Sequence, residues 1–342
     1  MSIGVAILGP TGYTGLELIE RLLTHPELHT TYLGSARENP PRIDDEFPRL
    51  AGRLPSTLDP RCERIDHDAI AARARLVFLC LPHEAAMVHA PQLLRRGVNV
   101  VDLSAAYRLR DPEVYARAYA HPHTDPTNLA HAVYGLPELF RDSIRAATLV
   151  ANPGCYPTAC TLALVPLLRA GLIRHDDLIV NAASGVSGAG REPKPHTTLV
   201  EAGDNFSAYG IGTHRHQPEI NQSLATLVGP HARALFVPHL LPIERGILET
   251  IYAHPLDQRV TSDALQGALR AAYDREPFVV VRDQAPTLRD VQRTNRVHIN
   301  ARVVDGRAII VAAIDNLTKG ASGQAIQNAN LMLGLDERLA LD

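Results

Sequence analysis

Two rhythms of apolar and polar residues divide this chain. Up to about residue 152, unbroken apolar runs of strand length alternate with stretches of helical spacing. The first run, Ile3 to Gly9, is apolar throughout and ends on glycine, as a strand buried on both faces does. Leu16, Ile19, Leu22 and Leu23 then recur at a helical period until Pro26 stops them. Further strand-like runs are "LHTTYLG", "RLVFLCLP" (75–82), "VNVVDLS" (98–104) and "TLVANP" (148–153), with helix-like segments between several of them. This alternation predicts an α/β domain with a Rossmann-like, doubly wound parallel sheet.

From about residue 153 the rhythm changes. The runs "DLIVNAAS", "RALFVPHLLPI", "GILETIYAH", "FVVVRD", "RVHINARVV" and "RAIIVAAIDN" follow closely, with fewer helices between them. They predict a second α+β domain on a mostly antiparallel or mixed sheet. The final segment, "GQAIQNANLMLGL", sets Ala325, Ile326, Ala329, Met332 and Leu333 on one helical stripe. A terminal helix must bury such a stripe, and packing back on the first domain is the expectation.

Composition narrows the function classes. A length of 342 residues suits two domains, and 45% hydrophobic with 21% charged residues describes a soluble globular protein. A net charge of −3 without any Lys/Arg run argues against a nucleic-acid partner. The apolar runs fall well short of the roughly 20 residues of a membrane span. A strand opening at residue 3 leaves no room for a signal peptide. Cys62, Cys80, Cys155 and Cys160 form no CxxC pair, which suits a reducing cytoplasm.

Chemistry enters at three places. Gly9-Pro10-Thr11-Gly12-Tyr13-Thr14-Gly15 joins the first strand to the first helix, where backbone N–H groups meet a pyrophosphate in dinucleotide-binding folds. Its GxxGxxG spacing departs from the usual GxGxxG, and a plain tight turn is the alternative. After the second strand come Ser35 and Arg37, with no carboxylate before Glu38. An arginine there pairs with a ribose 2′-phosphate that a carboxylate would repel, so NADP(H) is favoured over NAD; an ordinary surface arginine is the alternative.

The second place is "ANPGCYPT". Cys155 follows a strand and the loop Asn152-Pro153-Gly154, and Pro157 suits the first turn of a helix. Unpaired N–H groups and the helix dipole favour a thiolate there, whereas the other three cysteines read as small buried hydrophobes. The third place is "GTHRHQPEI". In an extended segment His214 and His216 share a face with Arg215 turned away, and a helix is expected from Pro218. Either histidine could be the acid/base for a thiolate. An HxH zinc site finds no further ligand cluster, so no metal is expected. The Gly/Ser-rich loop Ser184 to Arg191 could form an anion nest.

These pieces resemble the N-acetyl-gamma-glutamyl-phosphate reductases of arginine biosynthesis. "GPTGYTGLEL", "VDLSAAYRL", "ANPGCYPT", "ASGVSGAG", "THRHQPEI", "VPHLLPIERGI" and "DNLTKGASGQAIQNANLM" occur in that family's order from residue 8 to 332. The chain is also distantly similar to aspartate-semialdehyde dehydrogenases. The resemblance implies an NADP domain of residues 1–152 plus 316–342, completed by the terminal helix. It implies a catalytic, substrate and oligomerisation domain over 153–315. A homo-oligomer, dimer or tetramer, is expected.

It further implies that Cys155 attacks an acyl phosphate to form a thioester, which NADPH reduces to a semialdehyde. His216 is the choice for proton transfer with Glu219 orienting or tuning it, and His214 is the runner-up. Gly9, Thr11, Gly12, Tyr13, Thr14, Gly15, Ser35, Arg37, Ser187, Gly188 and Asn316 are the expected cofactor contacts. Asn152, Ser184 and Arg245 are the expected substrate contacts, although Arg245 could equally be a structural ion pair. The competing readings are a lysine-pathway aminoadipyl-phosphate reductase, an aspartate-semialdehyde dehydrogenase, a Cys-His hydrolase and a non-catalytic NADP sensor.

Overall fold

The computed structural model describes residues 2–341, which divide into two compact units. One comprises the chain up to Pro153 and from Ala321 onward; the other is Gly154–Gly320. Asn316 to Gly320 thus lie with the second unit and not with the terminal helix.

The first unit carries β1 (Ile3–Leu8), β2 (Leu28–Ser35), β3 (Glu63–Arg64), β4 (Leu76–Leu79), β5 (Asn99–Asp102), β6 (Val133–Tyr134) and β7 (Leu149–Ala151). Their order is β3-β2-β1-β4-β5-β7-β6, and every pairing is parallel. The continuous apolar runs follow from burial on both faces: all four residues of β4 are inaccessible. Beneath one face, Ala6, Leu8, Val77, Leu79 and Val100 pack with Met87, Ala90 and Leu93 of the helix His83–Leu94. The expected doubly wound sheet is the one observed.

The second unit holds β8 (Leu178–Gly185), β9 (Ser207–Ala208), β10 (Ala234–Leu241), β11 (Ile247–Ala253), β12 (Val279–Val281), β13 (Val297–Val304) and β14 (Arg307–Ile314). Their order is β12-β13-β14-β11-β8-β10-β9, mixed, with β8–β10 and β12–β13 parallel and the remaining pairs antiparallel. The helices Cys155–Arg169, His216–Leu227 and Ser262–Tyr273 belong to this unit. Val180, Ala182, Phe236, Ile251, Ile310 and Ala312 form its sheet core. The alternate residues point the other way, and in register they make the row Leu235–Ile179–Tyr252–Ile309. Leu235 and Tyr252 in that row are exposed.

The terminal helix Gly323–Met332 differs from a one-striped surface helix. All ten of its residues are buried within the first unit. Several of its polar side chains bond within the unit: Asn328 Nδ2 donates to the Gly135 carbonyl (2.9 Å) and to Asn152 Oδ1 (3.0 Å). His25 Nε2 lies 3.0 Å from Asn330 Oδ1. Hydrogen bonding, not apolarity alone, lets this helix sit inside.

Candidate active site

The dinucleotide loop lies between β1 and the helix Tyr13–Leu22. Gly9 takes φ of +83°, and a Cβ there would meet the Cys80 carbonyl at 2.4 Å. A Cβ on Gly15 would strike Pro10 Cα at 2.6 Å, whereas one on Gly12 would meet nothing closer than 3.9 Å. The outer glycines seat the helix against the strand, and the middle one leaves the turn open. Gly12 is the N-cap and supplies no side-chain bond, so the first N–H groups of the helix carry no side-chain cap. Thr11, Tyr13 and Thr14 belong to this turn, and the Thr14 carbonyl accepts from Ser322 Oγ (2.9 Å). These features fit a bound pyrophosphate.

At the end of β2, buried Ser35 Oγ accepts the Arg37 N–H (3.2 Å). The Arg37 guanidinium is half-exposed and paired to Glu46 at 2.6 Å. Asn152 is buried, and each of its polar groups is engaged inside the first unit. Its N–H donates to the Asp102 carbonyl (2.8 Å), its amide to the Ala321 carbonyl (3.1 Å), and its carbonyl accepts from Arg108 Nε (2.8 Å). Asp102, pushed up to about 6 by burial, accepts from both the N–H and the hydroxyl of Ser104. Sequence reasoning passed over Asp102 and Arg108, although both stand in the quoted run "VDLSAAYRL". Only the fold shows that Arg108 holds the loop ahead of the cysteine.

In the second unit Cys155 is the first residue of its helix, capped by Gly154. Cys155 and Cys80 are half-buried, Cys62 and Cys160 are buried, and no disulfide joins any of the four. Burial pushes Cys62 up to about 11, Cys80 up to about 12 and Cys160 well above its usual value. Next to it, Tyr156 packs edge-on against His214, His216 and Phe236, with its hydroxyl 3.1 Å from that of Tyr209. Burial raises both phenols, and the charge of Cys155 adds to the rise.

His216 begins a helix two residues earlier than the expected Pro218. Arg215 is in the right-handed helical region, so the histidines are not related by extended geometry. Instead His214 Nδ1 accepts the His216 N–H at 3.1 Å, and the rings meet edge to face with centroids 4.9 Å apart. Burial, then the Arg215 charge, lowers His214 to about 4, so at neutral pH it is an uncharged acceptor. The His216 ring lies over Gly154: a Cβ on that glycine would be 2.7 Å from Nε2. Buried Glu219 accepts the Gly154 N–H through Oε1 at 2.8 Å. Glu219 thus bonds the nucleophile loop.

Ser184, Ser187, Gly188 and Asn316 come together. Asn316 Nδ2 donates to Ser187 Oγ (3.0 Å), and its Oδ1 accepts the Gly246 N–H (2.7 Å). Ser184 Oγ would stand 3.1 Å from a Cβ on Gly188. Arg245 is buried and paired to Asp315 at 2.8 Å, with Nη2 also donating to Thr318 Oγ1 (3.1 Å). Asp315 escaped the sequence reading because a buried carboxylate has no local signature. Among the described residues no three His, Cys, Asp or Glu side chains converge on a metal site.

A parallel dinucleotide-type unit, followed by a unit that opens a helix with cysteine, defines the semialdehyde dehydrogenase class. Family models agree: "Semialdehyde dehydrogenase, NAD binding domain" matches residues 4–147, and "Semialdehyde dehydrogenase, dimerisation domain" matches residues 155–316. Aspartate semialdehyde dehydrogenase with NADP from Candida albicans superposes with a TM-score of 0.73 at 16% identity, over 97% of this chain and 99% of that one. The Vibrio cholerae enzyme II complexed with ASA gives 0.71 at 16%, over 98% and 99%. These likenesses show the fold.

Sequence relatives narrow the class. N-acetyl-gamma-glutamyl-phosphate reductase of Rhodopirellula baltica is 44% identical over 99% of this chain and 98% of its own length. That of Pelobacter propionicus is 47% identical with the same coverage. The chain belongs to the N-acetyl-gamma-glutamyl-phosphate reductase family, oxidoreductases of the phosphorylating semialdehyde dehydrogenase type. This membership favours the reductase over the aspartate-semialdehyde dehydrogenase, hydrolase and sensor readings.

Proposed function

We propose that this chain reduces N-acetyl-gamma-glutamyl phosphate to N-acetylglutamate 5-semialdehyde with NADPH, the third step of arginine biosynthesis. The observation that carries the reading is the meeting of two helix starts, Cys155 opening one and His216 lying over its cap, Gly154. The Cys155 thiolate attacks the acyl carbonyl, the carbon–oxygen bond to phosphate breaks, and a thioester remains. Bound NADPH would supply a hydride to the thioester carbon, and protonated His216 gives the resulting alkoxide its proton, leaving a thiohemiacetal on Cys155. His216 then takes the hydroxyl proton as the carbon–sulfur bond breaks, releasing the aldehyde and the thiolate. His214, kept neutral, holds the His216 backbone. Glu219 holds Gly154.

Gly9 to Gly15 hold the pyrophosphate in this reading, and Ser35 and Arg37 the 2′-phosphate. Ser184, Ser187 and Gly188 line the acyl site. Asn316 and Asn152 are assigned to positioning, and Arg245 to the ion pair with Asp315. The apolar row on the second sheet supports a homo-oligomer, dimer or tetramer. Four cysteines without a disulfide suit the cytoplasm. The test is the reverse reaction: phosphate-dependent reduction of NADP⁺ by N-acetylglutamate semialdehyde, the one-methylene-longer aminoadipate analogue, and aspartate semialdehyde. A methylene is worth about 1–3 kcal/mol in a pocket, so the glutamate compound should lead by roughly 10- to 200-fold in kcat/KM. Preference for either rival would overturn the substrate.

A further inference from the structure

Gly154 and Gly320 occupy positions whose backbone conformation does not require glycine. Gly154 has φ −67° and ψ 154°, ordinary extended geometry for any residue. Gly320 likewise lies outside the left-handed region, within the π-helical turn Thr318–Ser322. What sets them apart is what a side chain would strike. A Cβ at 154 would be 2.7, 2.9 and 3.0 Å from Nε2, Cε1 and Cδ2 of His216. A Cβ at 320 would be 2.8 Å from Cys155 Cβ and 3.2 Å from the Asp315 carbonyl. By contrast, Gly267 in the helix Ser262–Tyr273 has nothing within 4 Å.

We infer that Gly154 and Gly320 are positioning residues for the thioester chemistry, clamping the nucleophile from two sides. On one side the bare Cα of Gly154 admits the His216 ring. Glu219 fixes that glycine by accepting its N–H at 2.8 Å. On the other side Gly320 brings a main-chain turn against the Cβ of Cys155, which limits how its thiol can swing. That turn is anchored in its own right: the Gly320 N–H donates to the Asp315 carbonyl (2.9 Å), and the Asp315 carboxylate is held by Arg245. Turns with π geometry recur where a helix is distorted for a functional purpose. The inference rests on Cys155 and His216 being the nucleophile and the acid/base.

The two glycines predict different costs. At 154 the obstacle is the end of an imidazole, which can retreat. To regain ordinary contact of about 3.5 Å the ring must back away by roughly 0.8 Å. A misplacement of about 1 Å can cost on the order of 100-fold in rate. Gly154→Ala should therefore fold, with kcat lower by about 10- to 100-fold and NADPH affinity and KM within about twofold. Iodoacetamide alkylation of Cys155 should slow at neutral pH, and its pH midpoint should rise. At 320 the obstacle is the nucleophile's own Cβ, so the loss should fall on folding as well.

Thermal stability in paired backgrounds keeps the test decisive when a single variant folds poorly. Gly320→Ala should lower Tm in the wild type and recover in Cys155→Gly, where the Cβ is gone. Gly154→Ala should lose its penalty in His216→Ala. Gly267→Ala should leave kcat, KM and alkylation unchanged. Equal Tm losses in both backgrounds, or normal kcat and alkylation in Gly154→Ala, overturn the inference. That failure is separable from failure of the catalytic reading: if Cys155→Ser itself keeps turnover, the nucleophile assignment has gone first.

Discussion

At the residue scale the chemistry turns on one thiol among four. Cys155→Ser should abolish turnover while NADPH still binds, because the dinucleotide loop belongs to a separate stretch of chain. Cys62→Ser should keep its activity, since its buried thiol is pushed up to about 11 and is not a nucleophile at neutral pH. His216→Asn should cost about 10²- to 10⁴-fold in kcat by removing the titrating group. His214→Asn should cost less, because the asparagine oxygen can still accept the N–H of residue 216. Turnover and its pH profile in both variants decide between them; a larger loss from His214→Asn would reverse the assignment. For cofactor choice, a charge-assisted bond from Arg37 to a 2′-phosphate is worth about 1.5–3 kcal/mol, so Arg37→Ala should erode NADPH preference by about 10- to 150-fold. The pair with Glu46 sets a competing partner for that guanidinium. An unchanged NADPH/NADH ratio of kcat/KM would move the reading of the phosphate to another residue.

At the element scale the notable strand is β11, which carries Glu249 in the inward row between Ala182 and Ala312. Its carboxyl is wholly buried, neither oxygen has a hydrogen-bond partner, and burial pushes it well above its usual value. The folded protein holds a proton there that the unfolded chain releases above pH about 4.5. Stability from this group therefore falls as pH rises beyond that point, by about 1.4 kcal/mol per pH unit until the folded carboxyl itself ionises. Glu249→Gln should flatten that slope. Denaturation midpoints of both proteins at pH 5, 6, 7 and 8 check it, and parallel curves would show that the carboxyl is already ionised in the fold. Alternation along β11 identifies the strand, but neither pattern nor propensity says that an inward position holds a carboxylic acid. The helix at His216 starts before the expected Pro218 for a related reason. The N–H of His216 is satisfied by the His214 ring, a cap that the usual Ser, Thr, Asp and Asn signals do not cover.

For the molecule as a whole, the row Leu235–Ile179–Tyr252–Ile309 on the second sheet is apolar and partly open to solvent. Such a row on a sheet face suits burial against another copy. Leu235→Asp should shift the protein toward monomer in sedimentation velocity, while its far-UV circular dichroism stays unchanged. An unaltered sedimentation coefficient would show that this row does not hold copies together. Among the described residues no helix is long and apolar enough to cross a membrane.

The two sheets, the glycine turn after β1 and the cysteine at a helix start were legible in the chain alone, because each is written in local periodicity or turn chemistry. Buried parallel strands must be continuously apolar, and a turn that leaves room for a phosphate must be bare. The partners of the buried polar groups emerge only from the folded structure. Arg245 meets Asp315, Glu219 meets the N–H of Gly154, and Asn316 meets Ser187 across 70, 65 and 129 residues. It also showed that Gly154 and Gly320 are bare for want of space and not for want of a backbone angle. Such pairings arise where distant segments are forced out of water together, and each buried donor must then find whichever acceptor the packing brings within reach.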